Sequence, residues 1–263
     1  MDLELVKRVG IAAAYKGQRV LLSHYGKGKS KVDKKGAIDL VTEADKESEK
    51  TIIGTIKKSF PDHTILAEES GLNKGKADYK WIVDPLDGTT NFAHQLGLFS
   101  ISIAFVLGDV IVMGIVLSPV TGELFTAVKG KGAELNGRPI KVSNAQKVSE
   151  SLLVTGFPYD LINCFNPLMT RFSNCLKASQ GIRRLGSAAM DLCFLACGRF
   201  DGFWEQNLKP WDTAAGELIA REAGATITDF SNKPFNIYKN EILATNGNVH
   251  EEMLLLLALK DTE

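Results

Sequence analysis

Trp81-Ile-Val-Asp-Pro-Leu-Asp-Gly-Thr-Thr-Asn-Phe92 is the stretch that decides the reading of this chain. An apolar, strand-like run, Trp81-Ile-Val83, delivers two carboxylates three residues apart, Asp84 and Asp87. Pro85 between them has a fixed φ and no N–H to give to a ladder. Gly88 lets the backbone approach a ligand closely, and Thr89 and Thr90 offer hydroxyls and cap-type geometry. Carboxylates held close together call for a cation, and backbone N–H groups opened by a glycine call for an anion. A loop that supplies both suits a metal-bound phosphate.

Outward from this loop, three acidic elements recur at strand ends or helix starts: Glu68-Glu69, Asp84 with Asp87, and Asp212 in Pro210-Trp-Asp-Thr-Ala-Ala-Gly216. Asp45 is a fourth candidate. Hard oxygen donors with no histidine or cysteine nearby point to Mg²⁺, with Mn²⁺ as the other choice, rather than to zinc. A pair of such ions about 3.5–4 Å apart holds a phosphoryl oxygen and activates a water.

The flanking sequence predicts the scaffold. Apolar residues at helical spacing predict helices over residues 3–22 and 43–59, and a strand is expected at 64–66. Residues 98–117 read as two β-rich runs around Gly108-Asp109, with further turns at 119–122 and at Asn136-Gly137. This half reads as two helices packed on a large antiparallel sheet. Beyond about residue 145 strands and helices alternate. Strands are predicted at 152–155, 183–185, 202–205 and 226–229, and helices at 166–179, 187–197, 211–223 and from 248 onward.

Composition sets outer limits. The chain has 263 residues, 44% hydrophobic and 24% charged, enough for one domain or two closely packed subdomains. Lys+Arg and Asp+Glu both number 31, and the resulting zero net charge disfavours a nucleic-acid partner. No basic-then-apolar leader opens the chain, and the C-terminal apolar run at 253–259 is far below the ~20 residues that span a bilayer. A soluble cytoplasmic protein with no membrane partner is expected. Cys164, Cys175, Cys193 and Cys197 lack Cys-x-x-Cys spacing, and Cys193 and Cys197, four apart on one helix face, read as small apolar core residues. Residues 26–36 hold five lysines and three glycines, either a solvated loop or a basic flap at 27–35 over an anionic site.

At this point a resemblance becomes available. Asp84-Pro-Leu-Asp-Gly-Thr-Thr-Asn-Phe92 resembles the first signature of the inositol monophosphatase family, and Trp211-Asp-Thr-Ala-Ala-Gly-Glu-Leu-Ile-Ala-Arg-Glu-Ala-Gly-Ala225 its second. Glu68-Glu-Ser70, Asp39-Leu-Val-Thr-Glu-Ala-Asp45 and Gly186-Ser-Ala-Ala-Met-Asp-Leu192 resemble its other elements, so the likeness runs over roughly residues 5–258. The resemblance implies an α/β fold, a layered α/β/α/β/α sandwich. Its N-terminal half would be α+β with the large antiparallel sheet, its C-terminal half a mixed or parallel α/β sheet. One domain over 1–263 is implied, with subdomains at roughly 1–145 and 146–263, and a homodimer.

It also implies a Mg²⁺-dependent, lithium-sensitive phosphomonoesterase acting on a small polyol or sugar phosphate by direct attack of an activated water. Two to three ions are implied. The first would be held by Glu68, Asp84 and the Leu86 carbonyl, and the second by Asp84, Asp87 and Asp212. A weaker third would involve Glu68 and reach Asp45 through water. Thr89, paired with Asp45, would orient the water, with Glu68 the third catalytic residue. Gly88 and Thr89 would meet the phosphate. Asp87, Gly186, Ser187, Ala188, Glu205 and Asp212 would line the polyol side. The leading substrate is myo-inositol 1-phosphate. Fructose 1,6-bisphosphate is the runner-up, with Arg171, Arg183, Arg184 and the lysine stretch as candidate contacts for a second phosphate. NADP, 3′-phosphoadenosine nucleotides and histidinol phosphate remain open. So does a non-catalytic module that binds RNA or the transcription machinery, against which the intact acidic set argues. His24, His63, His94 and His250 lie outside every matched motif.

Overall fold

The computed structural model describes residues 2–27, 32–34, 40–158, 161 and 164–259. In chain order its elements are α1 Leu3–His24, β1 Val32–Lys34, β2 Leu40–Thr42, α2 Glu43–Ser59, β3 His63–Ala67, β4 Gly71–Asn73, β5 Lys76–Asp87, α3 Thr89–Ala93, β6 Ser100–Leu107, β7 Val110–Leu117, β8 Leu124–Val128, β9 Ala133–Leu135 and β10 Arg138–Pro139. Then follow β11 Leu152–Thr155, α4 Phe165–Ala178, β12 Gly181–Arg183, α5 Ala188–Ala196, β13 Gly202–Gln206, α6 Pro210–Glu222, β14 Thr226–Thr228, β15 Glu241–Thr245 and α7 His250–Leu257.

Eight strands form one sheet in the order β10-β9-β8-β7-β6-β5-β3-β4, antiparallel except where β3 runs parallel to β5. Five form a second, β12-β11-β13-β15-β14, in which β11 is parallel to both neighbours and β15 antiparallel to both of its own. The alternation of strand side chains assigns the layers. On β5, Trp81 and Val83 face the core shared with α1 and α2, while Ile82 faces the opposite core shared with α5 and α6. On the second sheet, Val154, Phe203 and Ala244 face α5 and α6, while Leu153, Trp204 and Leu243 face α4 and α7 through Cys175, Met253 and Leu257. The layers are therefore α/β/α/β/α, as the resemblance implies. The central helix pair α5 and α6 is buried against both sheets, and this sandwiching positions the loops at its N-terminal ends.

Most predicted elements fall where the sequence puts them. The two-residue connection at Gly108-Asp109 joins β6 to β7, and Asn136 and Gly137 both take positive φ, the left-handed pair a tight hairpin needs. The strand expected at 183–185 lies two residues earlier, as β12. The Asn91 amide takes the Leu185 carbonyl at 2.7 Å, and Gly186 then turns at φ +90°, so the chain has already left the sheet. Sequence reading missed the short α3 and the strand β15. All four cysteines are free thiols. No described helix is long and apolar enough to cross a membrane. The basic stretch at 27–35 lies largely outside the described residues; only the backbone of β1 is placed within it.

Candidate active site

Residues three apart on a regular strand point to opposite faces. Asp84 and Asp87 nonetheless line the same cavity. The register shows why: Asp84 pairs with Ser102 and Asp87 with Ser100, so two residues of β5, Pro85 and Leu86, stand against one residue of β6. This is a bulge, and Pro85, which has no N–H, occupies it at no ladder cost. The extra residue returns Asp87 to the side of Asp84. The Leu86 N–H donates to Asp84 Oδ1 at 2.9 Å and fixes that carboxylate locally.

Each further acidic group is brought in by its own element. Glu68 follows β3, its N–H donating to the Val83 carbonyl beside it. The turn after it is clamped by Glu49 of α2, whose carboxylate accepts from the N–H groups of Glu69 and Ser70 at 2.8 and 3.0 Å. Asp45, fully buried in the first turn of α2, stands 3.2 Å from the Thr89 hydroxyl, which lies equally close to the Leu86 carbonyl. Asp212 opens α6, where one oxygen accepts the Lys209 N–H at 2.7 Å in a capping arrangement. The Ser102 hydroxyl donates to the Trp211 carbonyl at 3.1 Å and ties that helix start to β6.

Asp87 links the two halves of the chain. Its Oδ2 accepts from the Ser187 hydroxyl at 2.6 Å, the Ala189 N–H at 2.8 Å and, more weakly, the Ser100 hydroxyl at 3.4 Å. Ser187 is the N-cap of α5. Asn91 adds a second link, donating to the carbonyls of Leu98 and Leu185. Gly88, between them, has φ +98°, and a side chain there would press on the carbonyls of Leu98 and Gly186, so only glycine fits without strain.

The result is a cavity of about 320 Å³. Glu68, Asp84, Leu86, Asp87, Gly88, Thr89 and Asp212 line one end, and Arg184, Gly186, Ser187, Ala188, Asp191 and Glu205 the other. At the first end the acids act on one another. Burial raises the Asp84 pKa well above the usual carboxylate value, and Glu68, Asp87 and Asp212 raise it further. Asp212 is raised by burial, then by Asp87 and Glu68. Burial also raises Asp87, against the opposing pull of its Ser187 and Ala189 bonds. Asp87 and Asp212 keep contact with the cavity's solvent, yet protein encloses them closely enough for desolvation to lead. Among the described residues no three His, Cys, Asp or Glu side chains already form a closed metal cluster. What fits a divalent cation is the donor chemistry: hard carboxylate oxygens that raise one another's pKa.

Glu205 is 8% exposed, and burial, with Asp212 and Asp87 adding to it, pushes its pKa up to about 8. Its carboxylate lies flat on Gly156, where a Cβ would overlap both oxygens. Gly156→Ala is therefore expected to displace Glu205 and to raise KM for a polyol phosphate about tenfold or more while kcat changes little. Steady-state kinetics on the purified variant checks this, and an unchanged KM refutes the seat.

Of the three arginines expected near a second phosphate, the structure brings only Arg184 to the cavity. Arg171 instead clamps the far layer: it donates to the Leu257 carbonyl and Gln206 Oε1, lies 3.5 Å from Glu241 and covers the Phe230 ring. Arg183 is exposed and reaches the neighbouring Ile182 carbonyl. Sequence reading missed Gly156, Asp191 and the rim formed by Phe157, Pro158 and residues 206–209. Asp191 left a signal, as the one charged residue in an otherwise apolar helix. The histidines outside the motifs have structural places. His63 stacks between Phe60 and Tyr79, and His250 lies between the hydroxyls of Thr228 and Thr245.

Comparison with known proteins agrees with this geometry. The model of the inositol monophosphatase family matches residues 2–261. Inositol-1-monophosphatase of Synechocystis is 43% identical over 98% of this chain and 90% of its own length. A protein named Nus factor SuhB, of Haemophilus influenzae, is 42% identical over 94% of this chain and 93% of its own. The inositol monophosphatase structure from Anabaena superimposes with a TM-score of 0.88 at 40% identity, covering 98% of this chain and 96% of that one. With a family match across nearly the whole chain and a matching architecture, the protein belongs to the inositol monophosphatase family and is a metal-dependent phosphatase.

Proposed function

We propose that the chain hydrolyses a small polyol phosphate, with myo-inositol 1-phosphate the preferred substrate and Mg²⁺ the metal. One observation carries this: Asp84, buried and raised by the charges of Glu68, Asp87 and Asp212, stands with them in a cavity that also presents Glu205 and the start of α5. Glu68, Asp84 and the Leu86 carbonyl would hold one ion, and Asp84, Asp87 and Asp212 a second. A weaker third would lie toward Glu68 and Asp45. When bound, magnesium supplies Lewis acidity toward the phosphoryl oxygens and lowers the pKa of a bound water.

The chain's own groups do the rest. The Thr89 hydroxyl, held between Asp45 and the Leu86 carbonyl, orients the water. The amides of Gly88 and Thr89 meet the phosphate. Glu205, Gly186, Ser187 and Ala188 meet the polyol hydroxyls. Attack by an activated water directly on phosphorus requires no serine, cysteine or aspartyl-phosphate intermediate. Both halves of the chain line the cavity, which supports one domain over 1–263.

A kinetic panel with and without Mg²⁺ tests the substrate, run on inositol 1-phosphate, fructose 1,6-bisphosphate, NADP, a 3′-phosphoadenosine nucleotide and histidinol phosphate. Inositol 1-phosphate is expected to lead, with inhibition by lithium. Fructose 1,6-bisphosphate turned over about tenfold more efficiently would overturn the ranking. The family's homodimer is supported by exposed Leu96, Leu98 and Val120 on neighbouring loops, and a monomer by sedimentation would remove it.

A second reading is favoured by the relatives named as Nus factors. In it this chain also joins an RNA-containing assembly, beside catalysis rather than in place of it. Zero net charge weighs against tight RNA binding. RNA left unretarded by the purified chain at physiological salt would remove this reading.

A further inference from the structure

Asp191 is the one buried side chain whose polar atoms have no partner among the described residues. It is 1% exposed, and neither carboxyl oxygen has a hydrogen bond. Several other buried acids of the chain are held by hydrogen bonds. Asp45 has Thr89, Asp84 has the Leu86 N–H, Glu49 has two backbone amides, and Asp201 has the Ser143 hydroxyl and the Leu152 N–H. An unpaired buried carboxyl is a standing cost to the fold, and α5, Ala188-Ala-Met-Asp-Leu-Cys-Phe-Leu-Ala196, is apolar at every other position. A leucine there would pack without that cost.

Its place on the helix gives the reason. Asp191 lies one turn after Ser187 and three residues after Ala188, on the helix face that forms the cavity wall. Glu205 and Arg184 act on it electrostatically from the same end, and Arg184 has its guanidinium folded over Gly186. Two carboxyls and one guanidinium lining the same cavity suit a group that both donates and accepts, which is a hydroxyl. They suit a second phosphate poorly, since it would face both acids.

We propose that Asp191 is a specificity-determining residue, which together with Glu205 receives a hydroxyl of the leaving polyol. This rests on the phosphatase reading above. The same carboxyl that weakens the free fold would thus find its partner in the substrate.

The test uses the full chain with Mg²⁺ on two substrates, myo-inositol 1-phosphate and p-nitrophenyl phosphate, which has no hydroxyl on its leaving group. Asp191→Ala is expected to raise KM for inositol 1-phosphate about tenfold to a hundredfold, with kcat within about threefold. Its kcat/KM on p-nitrophenyl phosphate should stay within about twofold of wild type. Asp191→Asn, which keeps hydrogen-bonding atoms at the same place, should recover most of the KM. In metal-free protein Asp191→Ala should melt a few degrees higher than wild type, because an unpaired buried carboxyl is gone. Equal loss on both substrates, or a lower melting temperature, would make Asp191 a structural residue and overturn the inference. A wild type inert to both phosphomonoesters would overturn the phosphatase reading, and this inference with it.

Discussion

Asp212→Asn is expected to lower kcat about a thousandfold or more, roughly 4 kcal/mol of transition-state stabilisation, with the fold intact. Asparagine matches aspartate in shape, and its side-chain oxygen can keep the Lys209 N–H bond that aspartate makes at 2.7 Å. Helix α6 stays anchored by Ala215, Leu218 and Ile219 in the central core and by the Ser102 bond to the Trp211 carbonyl. What changes is charge. Asp212 is one of the carboxylates that raise the Asp84 pKa, and Asp87 and Glu68 raise its own. Neutralising it removes a hard donor from the proposed site of the second metal ion. In metal-free protein the loss of repulsion should leave the melting temperature unchanged or higher. Near-normal kcat at saturating Mg²⁺, with an unchanged circular dichroism spectrum, would refute that role.

Much of this site was readable before any coordinates, because its chemistry is concentrated in short runs. Asp84 and Asp87 arrive together on one strand, and Pro85 already marks a break in the ladder. The bulge itself needed the register of β6, which no single stretch contains. Asp212 carried an ambiguous signal, since an acid at a helix start also reads as an N-cap; the structure puts Lys209 at the N-cap and Asp212 three residues on, accepting the Lys209 N–H. Arg171 was singled out for its charge, but its partners Gln206, Glu241 and Leu257 come from distant parts of the chain and hold it away from the cavity. Gly156 was illegible because its reason is the carboxylate of Glu205 lying on it, a contact between β13 and the end of β11. The layering came from the family resemblance, and the alternation of strand side chains between the cores then assigns each face. The strand β15 was missed because Glu241–Thr245 is a short run behind a lysine-bearing turn, recruited by its pairing with β13 and β14.

Magnesium is expected to stabilise the protein strongly, and more so at pH 8 than at pH 6. At one hundred times its dissociation constant, a ligand of the folded state alone contributes about 2.7 kcal/mol, which for a chain of this size is roughly 5–10 °C in melting temperature. The pH dependence follows from the raised carboxyls. In the unfolded chain they lose their protons near pH 4, about 4.3 for a glutamate. In the folded, metal-free protein Asp84, Asp87 and Asp212 hold theirs to higher pH, and Glu205 to about 8. Over that window the folded state binds more protons than the unfolded one, so metal-free stability falls as pH rises. A cation entering the site must displace those protons, so its affinity rises as they leave.

Melting temperature against Mg²⁺ concentration, measured on metal-free wild type and Asp84→Asn at pH 6 and pH 8, addresses the carboxylate site most directly. Asp84 is the acid acted on by all three of the others. The expected result is a wild type that gains several degrees, more at pH 8, and an Asp84→Asn variant that starts higher without metal and gains almost nothing with it. A wild type indifferent to Mg²⁺, or a variant that gains as much as wild type, would contradict a metal site built on these carboxylates.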